Sequence, residues 1–181
     1  MGNFLIKTAV RTLFTLTGRE RATDQITAQR NRYQKLLDGI SEEDGRRPVQ
    51  VPAMAGIDED MRNWSLFMVI EHNRIVNQSI TATVRQLVRG KALSGAAAID
   101  PKTGVMPSPA AGTEQVPIFF DSIAEHVETV SGLENLRGSN TSRHPLFGDF
   151  DAHKWHCMFS FHLKIHYRQA EFIARTLFQQ P

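Results

Sequence analysis

The sequence predicts an all-α fold, a helical bundle built from four helices of unequal length with one long crossover loop. Apolar residues recur at spacings of three and four along four segments, and no convincing strand alternation competes with them. Loops rich in Gly, Pro and charge separate the segments, and no internal repeat or heptad array is present. The 181 residues, 41% of them hydrophobic, suffice for one domain with a buried core. We therefore predict a single domain over residues 1–181.

The first predicted helix covers residues 3–39, with Gly18 as a kink or break. Lys7 and Arg11 interrupt its apolar N-terminal stretch, and no small-residue cleavage pattern follows, which argues against a secretory signal. We therefore expect an amphipathic helix that belongs to the fold, with residues 1–18 as a separable N-terminal part. The alternative is a basic membrane-surface or targeting segment, and deletion of residues 1–18 would test it.

The remaining predicted helices follow the same logic of start and stop signals. The second runs from Asp58 to Arg89, because acidic residues favour a helix start and Gly90 a stop. Residues 90–116 lack periodicity, so they are predicted to form the long crossover loop, which in a compact domain is either mobile or functional. The other helix bounds are predicted as Pro117 to Gly132 or Gly138 for the third helix, and Asp151 as N-cap to Gln179 for the fourth.

Charge and cysteine content exclude several classes of protein. The formal net charge of +2 is too small to predict binding to nucleic acid. The single cysteine, Cys157, excludes an intrachain disulfide and favours a reducing compartment, so we expect a cytoplasmic location. No run of 18 apolar residues occurs, so no membrane span is predicted.

Four of the seven histidines lie in the fourth predicted helix. On an ideal helical wheel with His162 at zero, His166 falls at about 40° and Gln169 at about −20°, in the middle of the apolar stripe. His153 and His156 point away from this stripe, so we expect them at the surface or its boundary. Histidines at i and i+4 on an inward face can turn their nitrogens to a common point, as metal ligands do.

The second predicted helix offers a third ligand, because His72 is also centred on a core-facing stripe. Three imidazoles would hold a metal and leave a fourth position open for water or substrate. The alternative is that each is a hydrogen-bonded core histidine. His126 is expected at a boundary, with a role as fourth ligand as the other possibility, and His144 is expected to be structural or exposed.

Two motifs carry a family resemblance. His72 follows WSLFMVIE, and the fourth-helix block HPLFGDFDAHKWHCMFSFHLKIHYRQAEFI has an HxxxHxxQ core. These motifs, and the layout of the whole chain, resemble the DinB/YfiT-like superfamily of four-helix bundles. The resemblance implies an up-and-down bundle with a divalent metal bound by His72, His162 and His166. Members of that superfamily include thiol S-transferases that use bacillithiol, mycothiol or glutathione, together with many proteins of no assigned activity.

The chemistry of such a site sets the expected function. Zinc, nickel, iron and manganese all accept imidazole ligands, and a metal held by neutral imidazoles lowers the pKa of a bound thiol or water. Thiol transfer and hydrolysis are therefore both predicted, on a small-molecule substrate such as a low-molecular-weight thiol. Cys157 points away from the ligand face and no phosphate-binding loop or glycosidase carboxylate pair appears, so the ligand must supply any nucleophile.

No catalytic side chain is evident, but two residues can assist the ligands. Gln169 can hydrogen-bond a ligand nitrogen or a bound water, and Glu71, beside His72, can act as a general base or outer partner, or form a surface ion pair. The competing hypothesis is a bundle that binds a metal or small ligand without catalysis. Its metal would be structural, and a homodimer through an apolar helix face is compatible with it.

Overall fold

The computed structural model describes residues 2–90 and 104–178, and helices dominate them. The helices and strands in chain order are α1 (Gly2–Leu16), α2 (Arg19–Leu37), α3 (Glu42–Arg46), a 3₁₀ turn (Glu59–Met61), α4 (Leu66–Val88), α5 (Gln115–Ser131), β1 (Ser142–His144), β2 (Gly148–Phe150) and α6 (Ala152–Phe178). The all-α class is therefore confirmed. Residues 91–103 of the predicted crossover loop and the predicted end at Gln179 lie outside the described residues. Within the described ranges, no helix is both long enough and apolar enough to cross a membrane.

The predicted break at Gly18 is confirmed, because α1 ends at Leu16 and α2 begins at Arg19. Gly18 has an extended backbone and occupies the N-cap position of α2. Helix α1 packs on α6, and its Val10 and Phe14 side chains are buried. The same helix exposes four large apolar side chains, those of Leu5, Ile6, Leu13 and Leu16. The N-terminal segment is thus a helix of the fold that keeps an exposed apolar stripe.

The predicted start of the second long helix at Asp58 is wrong. Residues Glu59–Met61 form only a 3₁₀ turn, and α4 begins at Leu66, where the Ser65 hydroxyl accepts a hydrogen bond from the Met68 amide at 3.2 Å. Between this turn and Ser65 the chain is tied to the segment before it, since the Val51 amide donates to the Arg62 carbonyl at 2.8 Å and the Val49 amide donates to the Trp64 carbonyl at 3.3 Å. The N-cap side chain therefore decides the start, and the acidic cluster does not.

The region before α6 contains a feature that the sequence did not predict, an antiparallel hairpin of β1 and β2. Each strand has only three residues, too few for an alternation pattern to be visible. Gly148 begins β2 at φ 80°, a backbone conformation that favours glycine. The predicted N-cap of α6 is confirmed, because the Asp151 carboxylate accepts from the Lys154 amide at 2.9 Å.

Four long helices pack on one another around the core. α4 lies against α5 and α6, and α2 lies against α6 and α5. Tyr33 joins three of them, because its hydroxyl donates to the Leu163 carbonyl at 3.2 Å and accepts from the Asn73 amide at 3.1 Å. The predicted metal ligands lie where α4 and α6 pack, with His72 in the N-terminal third of α4 and His162 and His166 near the middle of α6.

Candidate metal centre

Three histidines from two helices meet at the contact between α4 and α6. His72 comes from α4, and His162 and His166 come from successive turns of α6. One ligand-capable nitrogen from each lies within 4.8 Å of the others. The Nε2 atoms of His72 and His162 are 3.2 Å apart, and the ring centroids of His72 and His166 are 4.5 Å apart. This three-histidine cluster could hold a metal ion.

Hydrogen bonds on the far side of two rings determine which nitrogen faces the cluster. His72 Nδ1 donates to the Val105 carbonyl at 2.7 Å, and His166 Nδ1 donates to Gln169 Oε1 at 2.9 Å. Oxygens of this kind only accept, so both Nδ1 atoms carry the proton and both Nε2 atoms keep a free lone pair. Gln169 is itself fixed, since its Nε2 donates to the Met61 carbonyl at 2.7 Å. Such outer partners are typical of metal-binding histidines.

His162 differs from the other two histidines of the cluster. Its Nδ1 is buried and has no hydrogen-bond partner among the described residues. No protein group of the described ranges therefore fixes its tautomer, and its Nε2 faces the lone pair of His72 Nε2. Either that Nε2 carries a proton, or the two nitrogens share a cation. The orientation of His162 thus depends on what the cluster binds.

Burial keeps all three imidazoles neutral. Loss of solvation lowers the pKa of His166 to about 3, with the nearby His72 contributing in the same direction. The pKa of His162 falls well below the ordinary range for the same main reason, helped by His166 and His72. Burial also lowers the pKa of His72, against the opposing effect of its bond to the Val105 carbonyl. At neutral pH the cluster therefore presents lone pairs, as a cation requires.

The geometry of the cluster fits a divalent cation. Zinc binds imidazole nitrogen at about 2.0–2.1 Å, so two nitrogens of a tetrahedral site lie about 3.3 Å apart. The observed separation of 3.2 Å between His72 Nε2 and His162 Nε2 agrees with this value. Three imidazoles form a donor set that zinc, nickel, iron and manganese accept. Both the donor type and the spacing are therefore suitable.

One side of the cluster faces a cavity of about 210 Å³, which all three histidines line. No fourth His, Cys, Asp or Glu joins the three among residues 2–90 and 104–178. A cation held by three protein ligands and facing a cavity keeps a position for an external ligand, which is the pattern of catalytic zinc sites rather than structural ones.

Glu71 does not lie in the cluster but holds a loop next to it. One carboxylate oxygen accepts from the Ser108 amide at 2.7 Å, and the other is 3.4 Å from the Arg74 guanidinium. Ser108 is three residues beyond Val105, whose carbonyl binds His72. These contacts tie Glu71 to the loop whose Val105 carbonyl binds His72. Sequence periodicity could not reveal Val105, because it lies in an aperiodic segment.

His153 and His156 were expected at the surface, and this prediction is wrong. They are 2% and 0% exposed. The helical wheel assumed one buried face, but α6 is covered on another side by α1 and α2. Residues 152–163 contain a single charged side chain, Lys154, and that scarcity was the signal of a helix buried on several sides.

His126 is also fully buried, so the expected boundary position is wrong. Its Nε2 lies 3.0 Å from His156 Nδ1, and its Nδ1 lies 2.9 Å from the Thr81 hydroxyl. It therefore belongs to a separate His126–His156 pair and is not a fourth ligand of the cluster. The sulfur of Cys157 is buried as well, and burial raises the pKa of its thiol to about 12, so it is not a nucleophile at neutral pH.

Comparison with known proteins gives no match: no family model, no curated protein and no solved structure is similar to this chain. The geometry of the cluster and its cavity therefore carries the functional argument.

Proposed function

We propose that His72, His162 and His166 bind one divalent cation and that the chain is a metal-dependent enzyme of the thiol S-transferase or hydrolase type. The observation that carries this proposal is the 3.2 Å separation of two Nε2 atoms, one of which is held as a free lone pair by the Val105 carbonyl. Two buried lone pairs facing each other repel unless a proton or a cation lies between them.

The proposal extends to the fold. We propose that α2, α4, α5 and α6 form an up-and-down four-helix bundle with the long crossover between α4 and α5, as the resemblance to DinB-like proteins implies. Support comes from the contacts of α4 and α2 with both α5 and α6. In such a bundle, ligands project inward from facing helices, as His72 does from α4 and His162 does from α6.

The residues of the chain perform three tasks in this proposal. His72 and His166 are oriented by their Nδ1 hydrogen bonds, so little ordering is needed when a cation binds. The apolar cavity wall excludes bulk water, which strengthens electrostatic interactions at the cluster. A bound divalent cation lowers the pKa of a thiol or water at its open position. The low-molecular-weight ligand supplies the nucleophile, because Cys157 is buried and protonated.

A second function is supported by a specific observation, the placement of the cluster between two helices. A cation bound by His72 of α4 and His162 of α6 would cross-link them and stabilise the fold without catalysis. Cobalt-substituted protein separates the two functions. A catalytic site exchanges its open position, so its visible absorption spectrum changes when azide or a small thiol is added. A closed structural site gives an unchanged spectrum.

Both proposed functions require a bound metal ion, and metal stoichiometry tests this requirement. Inductively coupled plasma mass spectrometry on tag-free protein should find about one divalent metal per chain in the wild type, and His72→Ala and His162→Ala should each lose it. His144→Ala is the matched control, because His144 lines the same cavity and is not one of the three ligands. A wild type that stays empty when offered zinc or nickel at neutral pH contradicts the proposal.

A further inference from the structure

The cavity beside the three-histidine cluster has few hydrogen-bonding groups. Its wall is mostly apolar and is formed largely by Met61, Val76, Ile80, Leu146, Met158 and Ile165. Apart from the cluster, the polar side chains that line it are those of Asp58, Arg143, His144 and Trp155. Asp58 and Arg143 are exposed to solvent, so His144 and Trp155 are the sheltered polar groups. A ligand rich in polar groups would lose hydration here without compensation.

Trp155 contributes a hydrogen-bond donor that no described residue uses. Its side chain is 5% exposed, and its Nε1 is buried with no partner among the described residues. An indole N–H can only donate, and a buried donor without an acceptor costs the free energy of its lost hydration. Buried tryptophans usually have a partner for this group. The unpaired N–H therefore indicates that an acceptor comes from a ligand.

His144 contributes a second donor from the hairpin. Its Nδ1 accepts from the Leu146 and Phe147 amides at 3.1 and 3.3 Å, so this nitrogen carries the lone pair. Burial lowers the pKa of His144 to about 4, so the ring is neutral at pH 7 and its proton lies on Nε2. The ring centroids of His144 and Trp155 are 5.4 Å apart. Two neighbouring rings at the cavity thus each offer one N–H.

We propose that this cavity binds a compact, largely apolar carbonyl compound whose oxygen accepts hydrogen bonds from Trp155 Nε1 and His144 Nε2. The inference rests on the proposed function, because this compound would be the substrate held beside the metal. Two donors suit the two lone pairs of one carbonyl oxygen, and the apolar wall suits the rest of the molecule. The volume of about 210 Å³ restricts the ligand to a small one.

A matched pair of probes tests the proposal: 4-phenylbutan-2-one and butylbenzene, which share a carbon skeleton and differ in the carbonyl. In ¹H–¹⁵N spectra of the wild type, the ketone should move the Trp155 indole proton downfield, and butylbenzene should not. Trp155→Phe assigns the signal and keeps an aromatic ring. It should weaken ketone binding about fivefold and change butylbenzene binding by less than about twofold. Equal responses to both probes, or no binding of either, would overturn the proposal.

Trp64 makes the two proposals separable in one experiment. Its ring centroid lies 5.1 Å from that of His72, so its indole signal reports zinc at the cluster. The probes are titrated into chelator-treated and zinc-loaded protein. If zinc binds and the ketone fails, the carbonyl inference is wrong and the metal proposal stands. If the ketone binds as expected and zinc does not, the carbonyl site stands and the metal proposal is wrong.

Discussion

Helix α6 contributes to two groups of histidines in the interior, and their difference shows which group could hold a metal ion. In the three-histidine cluster, the Nε2 atoms of His72 and His162 are 3.2 Å apart. In the His126–His156 pair, His126 Nε2 and His156 Nδ1 are 3.0 Å apart. Burial is similar in both groups, and so is the distance between nitrogens. Neither property distinguishes a metal site from a core hydrogen bond.

The number of rings and the space beside them do distinguish the two groups. Three rings converge in the cluster, and two of them donate outward to oxygens that only accept, so their Nε2 lone pairs face inward. Only two rings meet in the His126–His156 pair, and no third His, Cys, Asp or Glu of the described residues joins them. The cluster lines a cavity of about 210 Å³, whereas neither ring of the pair lines it. The cluster therefore could hold a cation with an open position, and the pair offers too few ligands.

The largest expected effect is that zinc stabilises the folded chain by binding to the three-histidine cluster and to no other histidine group. Free zinc at a thousand times its dissociation constant should stabilise the wild type by about 4 kcal/mol and raise Tm by about 10 °C. His166→Ala should abolish this increase, because one of three ligands is lost. Thermal unfolding with and without zinc measures both.

His126→Ala is the control for loss of a buried histidine. It should lower Tm through the cavity it creates and yet keep the full increase with zinc, since His126 is hydrogen-bonded to His156 and lies outside the cluster. If His126→Ala abolished the zinc effect as His166→Ala does, the two groups would not be independent and the comparison would fail.

The positions of the cluster residues could be predicted from the sequence, for a physical reason. His72, His162 and Gln169 are centred on apolar stripes, and side chains on a stripe face the neighbouring helix. The structure buries His72 and Gln169 and leaves His162 half-buried beside them. The predicted break at Gly18 succeeded because the low helix propensity of glycine is a local property of that residue.

The rest could not be predicted because it depends on partners distant in sequence. His156 is buried since α2 covers its side of α6, and a single-helix wheel contains no such information. The carbonyl of Val105 reaches His72 from a loop whose position is fixed by Glu71. The start of α4 at Leu66 depended on a competition between the Ser65 cap and the acidic residues before it, which composition alone did not decide.

Lowering the pH should destabilise the fold in part through the His126–His156 pair. Burial lowers the pKa of His156 from 6.5 to about 4, and the pKa of His126 falls well below 6.5 for the same reason. The unfolded chain takes up protons first, so stability is complete above about pH 6.5 and is lost as the pH falls towards 4. Each such histidine contributes up to about 1.4 kcal/mol per pH unit in this range.

Urea unfolding of chelator-treated protein between pH 7 and 4.5 measures this loss. His156→Gln should be less stable than the wild type at pH 7. As the pH falls, however, its free energy of unfolding should decrease less steeply, because its unfolding takes up about one proton fewer than that of the wild type. The cluster histidines are present in both proteins, so their contribution cancels when the pH curve of His156→Gln is subtracted from that of the wild type. Parallel pH curves for the two proteins would show that His156 is protonated equally in the folded and unfolded chains.

The smallest expected effect concerns the outer partner of the cluster. Gln169→Leu removes the oxygen that accepts from His166 Nδ1, at nearly the same side-chain volume. The His166 ring then loses the bond that fixes its tautomer, and zinc affinity should fall about tenfold, or about 1.4 kcal/mol. A competition titration against a chromogenic chelator measures the affinity.

Gln29→Leu is the matched control, because Gln29 is also a buried glutamine and lies on α2. Gln169→Glu adds a rescue, since a carboxylate keeps the acceptor for His166 Nδ1 while losing the donor to the Met61 carbonyl. Recovery of zinc affinity in Gln169→Glu, without recovery of urea stability, would assign the effect to the tautomer of His166. Equal losses of affinity in Gln169→Leu and Gln29→Leu would mean that the hydrogen bond from His166 Nδ1 to Gln169 does not set the zinc affinity of the cluster.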